Sequence, residues 1–261
     1  MVAKLATGSK SLGIVLVSHG GVRGAFTANC SMQVDREPWF EERMGAYLLR
    51  QERAVLGEVL PTVFGYFLVQ AGLWGPAGAL MQSSVIRSCF MLAPEYASGI
   101  QICADPGGLP FASDSVDALL LPHTLEHSKD PPRVLREAER VLLGEGYLIV
   151  LGFHPWGPWA MRQRLTTSTP WAGNYVRAGR LQGWLTVLGF ETVRLRHYLF
   201  RPPFQHRLLV RSAFLDHLHW RLTASAYMLV ARKRVFAVTP LRLKRARPRR
   251  AFAGVVNPTV R

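Results

Sequence analysis

Residues 105–146 read DPGGLPFASDSVDALLLPHTLEHSKDPPRVLREAERVLLGEG and run directly into the apolar segment YLIVLGF at residues 147–153. An apolar segment at residues 100–104 precedes them, and the Pro-Gly-Gly sequence after Asp105 predicts a turn at its end. Residues 116–121 are too apolar for a surface strand. They predict a parallel strand that is covered on both faces.

A helix is predicted between this strand and residues 147–153. Asp130 is a typical N-cap residue, Pro131 suits the first helical turn, and apolar residues follow at three- and four-residue spacing. Gly144 and Gly146 are expected to end the helix. Strand, helix and strand in this order form a βαβ unit, so the predicted fold class is three-layer α/β with a parallel sheet.

The same stretch resembles the class I S-adenosylmethionine-dependent methyltransferases, in particular the branch that contains the ubiquinone- and biotin-pathway methyltransferases. The resemblance rests on Asp105, Leu109-Pro110-Phe111, Ser115-Val116-Asp117, Leu125-Glu126-His127, Asp130-Pro131, Arg140-Val141-Leu142 and Gly144-Glu145-Gly146. It implies a Rossmann-like fold with a mostly parallel seven-stranded sheet whose last strand is antiparallel. It also implies S-adenosyl-L-methionine as the cofactor and methyl transfer as the activity.

The resemblance extends over residues 39–235 and predicts the remaining elements. These are a leading helix at 41–60, strands at 62–69 and 85–92, a glycine turn at 72–78, a helix at 181–188, and strands at 190–199 and 225–231. Three segments are expected: a poorly structured extension at 1–36, a methyltransferase-like domain at 37–236 with an insertion at 201–223, and a basic disordered tail at 237–261. Only ten residues separate Glu95 from Asp105, so the usual helix between the second and third strands is expected to be missing or reduced.

The resemblance also implies a cofactor site at the carboxyl ends of the strands, where open α/β sheets bind their ligands. The implied residues are Gly72, Gly75 and Gly78 at the methionine end, with Gln70 nearby; Glu95 at the ribose; Asp105, Pro106 and Leu109 around the adenine; and His123 and Thr124 facing the sulfonium. The family usually carries an acid just before the glycine turn, whereas this chain has neutral Gln70. Two structural alternatives remain: the glycine turn serves packing, or Asp105 only caps its own turn.

Methyl transfer needs chiefly alignment and desolvation, which together contribute roughly 7–11 kcal/mol without a dedicated base. A base is required only for a weakly acidic nucleophile, and His123 and Glu126 are the first candidates. The alternatives are a histidine at the rim and a solvated loop carboxylate. The sequence shows no nucleophilic triad, no metal-ligand spacing and no phosphate loop.

Charge is distributed unevenly along the chain. Residues 1–191 hold 16 basic and 16 acidic side chains, whereas residues 192–261 hold 16 basic and 1 acidic, so the net charge of +15 belongs to the last seventy residues. The basic run at 232–250 suggests binding to RNA or to anionic lipid. A tail that only aids solubility explains the run equally well.

Residues 59–86 carry no charged side chain, but Pro61, Gln70 and the glycine turn interrupt them before the roughly 20 apolar residues that a membrane-spanning helix needs. No transmembrane segment is therefore predicted. Cys30, Cys89 and Cys103 show neither pairing parity nor metal spacing, which fits a reducing cytoplasm.

Three functional hypotheses follow. The first is a methyltransferase that acts on an unidentified acceptor. The second is a degenerate methyltransferase scaffold that serves as a binding module, with RNA as a possible ligand of its basic C-terminal part. The third, a nicotinamide-dependent dehydrogenase, fits the glycine spacing poorly.

Overall fold

The computed structural model describes residues 37–94, 99–157, 159–160, 173–199 and 224–235. The predicted extension at 1–36, the insertion at 201–223 and the tail at 237–261 lie outside the described residues, and so does Glu95. The three-segment division of the chain therefore stays a prediction.

The described residues form both helices and strands. The helices are α1 (Glu37–Glu41), α2 (Arg43–Leu56), α3 (Thr124–His127), α4 (Pro131–Val141) and α5 (Ala178–Val187), and a 3₁₀ turn covers Leu60–Thr62. The strands are β1 (Phe67–Ala71), β2 (Ser88–Ala93), β3 (Ile102–Cys103), β4 (Val116–Pro122), β5 (Leu142–Phe153), β6 (Phe190–Tyr198) and β7 (Ala226–Lys233). None of these helices combines the length and the apolar character that crossing a bilayer requires.

Within the described residues the seven strands form one sheet in the order β3-β2-β1-β4-β5-β7-β6. β7 runs antiparallel to both of its neighbours, and the other pairings are parallel. One apolar cluster joins α2 to one face of the sheet, and a second joins α4 and α5 to the opposite face. This arrangement confirms the predicted three-layer α/β fold.

The helix α4 begins as predicted but ends earlier. The Asp130 side chain accepts a hydrogen bond from the Arg133 backbone N–H at 3.1 Å, which caps the first turn. The helix ends at Val141, and β5 starts at Leu142, before the two glycines that were expected to stop the helix. Pairing of Leu142 with Val116 of β4 explains the early end, because sheet formation takes over the backbone there.

The connection between β2 and β3 is short. β2 ends at Ala93 and β3 begins at Ile102, so eight residues link the two parallel strands. β3 itself has two residues, fewer than the predicted 100–104. A crossover this short leaves no room for a full helix, as the sequence spacing predicted.

The start of the basic run belongs to the sheet. Arg232 and Lys233 are residues of β7, and Arg232 and Arg234 both pair with Glu145 and Glu191. These side chains are therefore engaged at the amino-terminal edge of the sheet. The rest of the run lies outside the described residues.

Lys233 is buried, and its Nζ donates hydrogen bonds to Asp114 Oδ1 at 2.9 Å and to the backbone carbonyls of Glu139 and Leu142. We expect Lys233→Met to lower the free energy of unfolding by about 2 kcal/mol, because two carbonyls lose their donor. Chemical denaturation measures this change. Arg234→Met is the matched control, since its exposed ion pairs contribute little; equal losses in the two variants would contradict the assignment.

Candidate functional site

A cavity of about 400 Å³ opens at the carboxyl ends of β1 to β4. Gly72 follows β1, Ala93 ends β2, Asp105 follows β3, and Pro122 ends β4, and all four residues line the cavity. β1 and β4 are neighbours in the sheet although two strands, β2 and β3, and more than forty residues lie between them in the chain. The order of the strands reverses at this point, which is where open α/β sheets bind ligands.

Four of the residues expected around the cofactor line this cavity: Gly72, Asp105, Pro106 and Thr124. The Asp105 carboxylate also accepts a hydrogen bond from the Gly107 backbone N–H at 3.0 Å, so it caps its own turn in addition to bordering the cavity. Arg133 fixes the same turn, because its Nε donates to the Gly107 carbonyl at 2.8 Å.

Gly72 and Thr124 fit closely against each other. Gly72 has φ +117°, and a Cβ at this position would lie 2.3 Å from Thr124 Oγ1. The Thr124 hydroxyl donates to the Ala71 carbonyl at the end of β1. Only glycine therefore suits position 72, for reasons of both backbone conformation and space.

Other expected residues are not among those that line the cavity: Gln70, Gly75, Gly78, Leu109, His123 and Glu126. Gln70 is buried in β1, its Nε2 donates to the Gly72 carbonyl at 3.2 Å, and its Oε1 has no hydrogen-bond partner among the described residues. Gly75 has φ +71° in the turn after β1. The backbone N–H of Leu109 donates to Glu137 Oε2 at 3.0 Å.

His123 and Glu126 belong to a buried group of three ionisable side chains, which we call the buried ion cluster: Glu52, His123 and Glu126. His123 Nε2 lies 2.9 Å from Glu52 Oε1, and His123 Nδ1 lies 3.1 Å from Glu126 Oε2. The exposed fractions of the three residues are 0%, 0% and 3%. His123 was expected to face the reacting group. The structure instead places both ring nitrogens of His123 against carboxylates.

The second carboxyl oxygens of Glu52 and Glu126 also accept hydrogen bonds. Trp74 Nε1 donates to Glu52 Oε2 at 2.8 Å, and the backbone N–H of Phe153 donates to Glu126 Oε1. The ring centroids of Trp74 and Phe153 lie 4.2 Å and 4.1 Å from the centroid of the imidazole ring and 6.2 Å from each other. Glu126 is thus fully engaged as an acceptor, which leaves it poorly suited to act as a free base.

Both ring nitrogens of His123 face carboxylate oxygens, an arrangement in which an imidazolium donates a hydrogen bond from each nitrogen. Burial acts to lower the pKa of His123, but the charge of Glu126 and the hydrogen bonds to Glu126 and Glu52 outweigh it and raise the pKa to about 9. The same carboxyl groups add to the effect of burial in raising the pKa of the Tyr198 hydroxyl. The buried imidazole of His123 is therefore held in its charged form at neutral pH.

Sequence reasoning missed Glu52, although a signal was present. The residue stands on the apolar face of α2, four positions after Leu48 and four before Leu56, both of which are fully buried. A carboxylate on a buried helical stripe requires a partner. Lys129 and Arg133, which line the cavity, carried no such signal because both are exposed.

Known proteins that are similar to this chain in sequence or structure share its α/β fold. Residues 86–150, from the approach to β2 into β5, match the family described as a methyltransferase domain. The whole sheet also has the fold of solved methyltransferases. An S-adenosylmethionine-dependent methyltransferase from Archaeoglobus fulgidus superposes on this chain with a TM-score of 0.58 at 15% identity, over 75% of this chain and 98% of that one. One from Thermotoga maritima superposes with a TM-score of 0.55 at 17% identity, over 76% and 94%.

A geranyl diphosphate methyltransferase, solved in complex with S-adenosylmethionine, superposes on this chain with a TM-score of 0.51 at 18% identity, over 77% of this chain and 93% of that one. Among curated proteins, the uncharacterized protein YafS of Escherichia coli is 34% identical over 155 residues, which are 58% of this chain and 62% of YafS. An uncharacterized Mycobacterium tuberculosis protein is 33% identical over 110 residues, which are 40% of this chain and 38% of that protein. The matches thus span less than two thirds of the length of these relatives.

Proposed function

We propose that this protein is a methyltransferase that uses S-adenosyl-L-methionine. The observation that carries the proposal is the cavity at the carboxyl ends of β1 to β4, bordered by Gly72, Asp105 and Thr124, within a methyltransferase domain. Its volume of about 400 Å³ falls in the range of small-molecule sites.

The residues around the cavity are compatible with this cofactor. Gln70 Oε1 is a buried acceptor without a partner among the described residues, so it can accept a hydrogen bond from a ligand ammonium group near the Gly72 turn. The exposed Asp105 carboxylate can accept hydrogen bonds from the nucleoside end, with Pro106 beside it. The proposed ribose partner Glu95 lies outside the described residues.

S-adenosylmethionine supplies an electrophilic methyl group on its sulfonium. The task of the chain is then to align the acceptor and to exclude water, which contributes roughly 7–11 kcal/mol in well-oriented reactions. His123 and Glu126 are hydrogen-bonded to each other, whereas His127 borders the cavity. His127 is therefore the better candidate for accepting a proton. The acceptor stays unassigned.

Isothermal titration with S-adenosylmethionine and S-adenosylhomocysteine tests the proposal. We expect both to bind, and Asp105→Ala to weaken binding about tenfold, since one charge-assisted hydrogen bond is lost. Asp105→Asn separates the two roles of this side chain, because asparagine can still cap the Gly107 N–H but carries no charge. If Asn binds as the wild type does and Ala does not, Asp105 acts only on its turn. If the wild-type protein gives no heat with either compound, the scaffold hypothesis takes the place of the enzyme.

A further inference from the structure

The buried ion cluster connects the leading helix α2 to the wall of the cavity. Glu52 belongs to α2, His123 precedes α3, and Thr124 and His127 at the two ends of α3 line the cavity. Glu52 and His123 are 71 positions apart in the chain. The contact between them therefore ties two elements that only the tertiary structure brings together.

The position of α3 depends on such contacts. A four-residue helix has too few internal hydrogen bonds to be stable by itself. His123 at its start has φ +53°, a left-handed conformation that is costly for a side-chain-bearing residue unless its surroundings hold it. The two carboxylates and the two neighbouring rings supply that restraint.

We propose that Glu52 is a positioning residue for the cofactor cavity, because its hydrogen bond to His123 holds Thr124 against Gly72. This inference rests on the proposed cofactor binding. Thr124 Oγ1 fills the space in which a Gly72 Cβ would lie. A shift of His123 moves the next residue, Thr124, and changes the shape of the cavity at its junction with β1. The leading helix is thereby part of the cofactor site although none of its residues lines the cavity.

The hydrogen-bond pattern makes a specific rescue possible. Glutamine at position 52 can accept from Trp74 Nε1 through its oxygen and donate to His123 Nε2 through its amide. His123 then becomes neutral and keeps its Nδ1–H for Glu126. Alanine at position 52 instead leaves the Trp74 N–H and one imidazole nitrogen without partners.

The test measures the dissociation constant of S-adenosylhomocysteine at pH 7.5 by calorimetry, on variants shown by circular dichroism to be folded. Glu52→Ala is expected to weaken binding about tenfold, because it leaves buried polar groups without partners and the relief of that cost displaces α3. Glu52→Gln is expected to bind within about threefold of the wild type. Glu42→Gln, an exposed carboxylate directly before α2, should match the wild type.

Lys233→Met controls for loss of stability alone, because it weakens the fold at the opposite edge of the sheet. It is expected to leave the dissociation constant unchanged. If Glu52→Ala does not fold, Trp74→Phe removes the indole N–H and keeps one aromatic ring against His123, and it should weaken binding several-fold. The inference is overturned if Glu52→Ala binds with wild-type affinity, or if Glu52→Ala does not fold and Trp74→Phe binds with wild-type affinity. The proposed function stands in either case. Absence of binding by the wild type rejects the proposed function and this inference with it.

Discussion

Raising the pH from about 6 to about 10 is expected to lower the free energy of unfolding by about 3 kcal/mol through His123 alone. Its pKa is about 9 in the folded protein and 6.5 in the unfolded chain. The raised pKa means that the folded state keeps a proton which the unfolded chain has already released. The stabilisation is complete below pH 6.5 and is lost as the pH rises through about 9.

Urea denaturation across this pH range measures the effect, and Glu52→Gln isolates it. Other groups titrate at alkaline pH, among them Cys89, whose pKa is raised by burial. They are common to both proteins, so the difference between the two pH profiles reports the buried ion cluster. Since His123 is expected to be neutral in Glu52→Gln, that profile should be flatter between pH 6.5 and about 9. Parallel profiles would show that Glu52 does not raise the pKa of His123.

Replacing Gly72 with alanine is expected to weaken S-adenosylmethionine binding about a hundredfold and to lower the free energy of unfolding by about 2 kcal/mol. The new Cβ would lie 2.3 Å from Thr124 Oγ1, so Thr124 must move and its bond to the Ala71 carbonyl is lost. The backbone N–H of Gly72 is fixed by the Leu92 carbonyl at 2.8 Å, which limits relaxation on the other side. Calorimetry and thermal unfolding measure the two effects.

Gly78→Ala is the matched control for this substitution. Gly78 has φ +73°, so alanine there carries a similar conformational cost, but nothing lies within 4 Å of the added Cβ. It should lower stability by about 1–2 kcal/mol and leave binding intact. A comparable loss of affinity in both variants would mean that strain in the loop, and not the contact with Thr124, governs the site.

The βαβ unit was predictable because its signals are local. Asp130 caps α4 within three residues, and the apolar run of β4 needs no partner to be recognised. The meeting of Gly72, Asp105 and Thr124 was also predictable, since the carboxyl ends of parallel strands lie at one edge of a sheet. The end of α4 was not, because Leu142 leaves the helix to pair with Val116, a partner 26 positions earlier in the chain.

The roles of His123 and Glu126 show the limit of reasoning from position alone. Their place after β4 favoured contact with a reacting group, and the structure turns both side chains toward Glu52 and Phe153 instead. Whether His123 and Glu126 exchange protons with a ligand depends on which residues form hydrogen bonds with their side chains. Those partners lie on α2 and β5, far from them in the chain.

The sequence by itself determined the order of helices and strands in the central unit and the edge of the sheet at which the cavity opens, because turn, cap and apolar-pattern signals act over a few neighbouring residues. The tertiary structure alone decided that Glu52 reaches His123 and that the imidazole carries a second proton. Burial supplies the physical reason: charges removed from water must find partners, and the folded topology decides which charges are within reach.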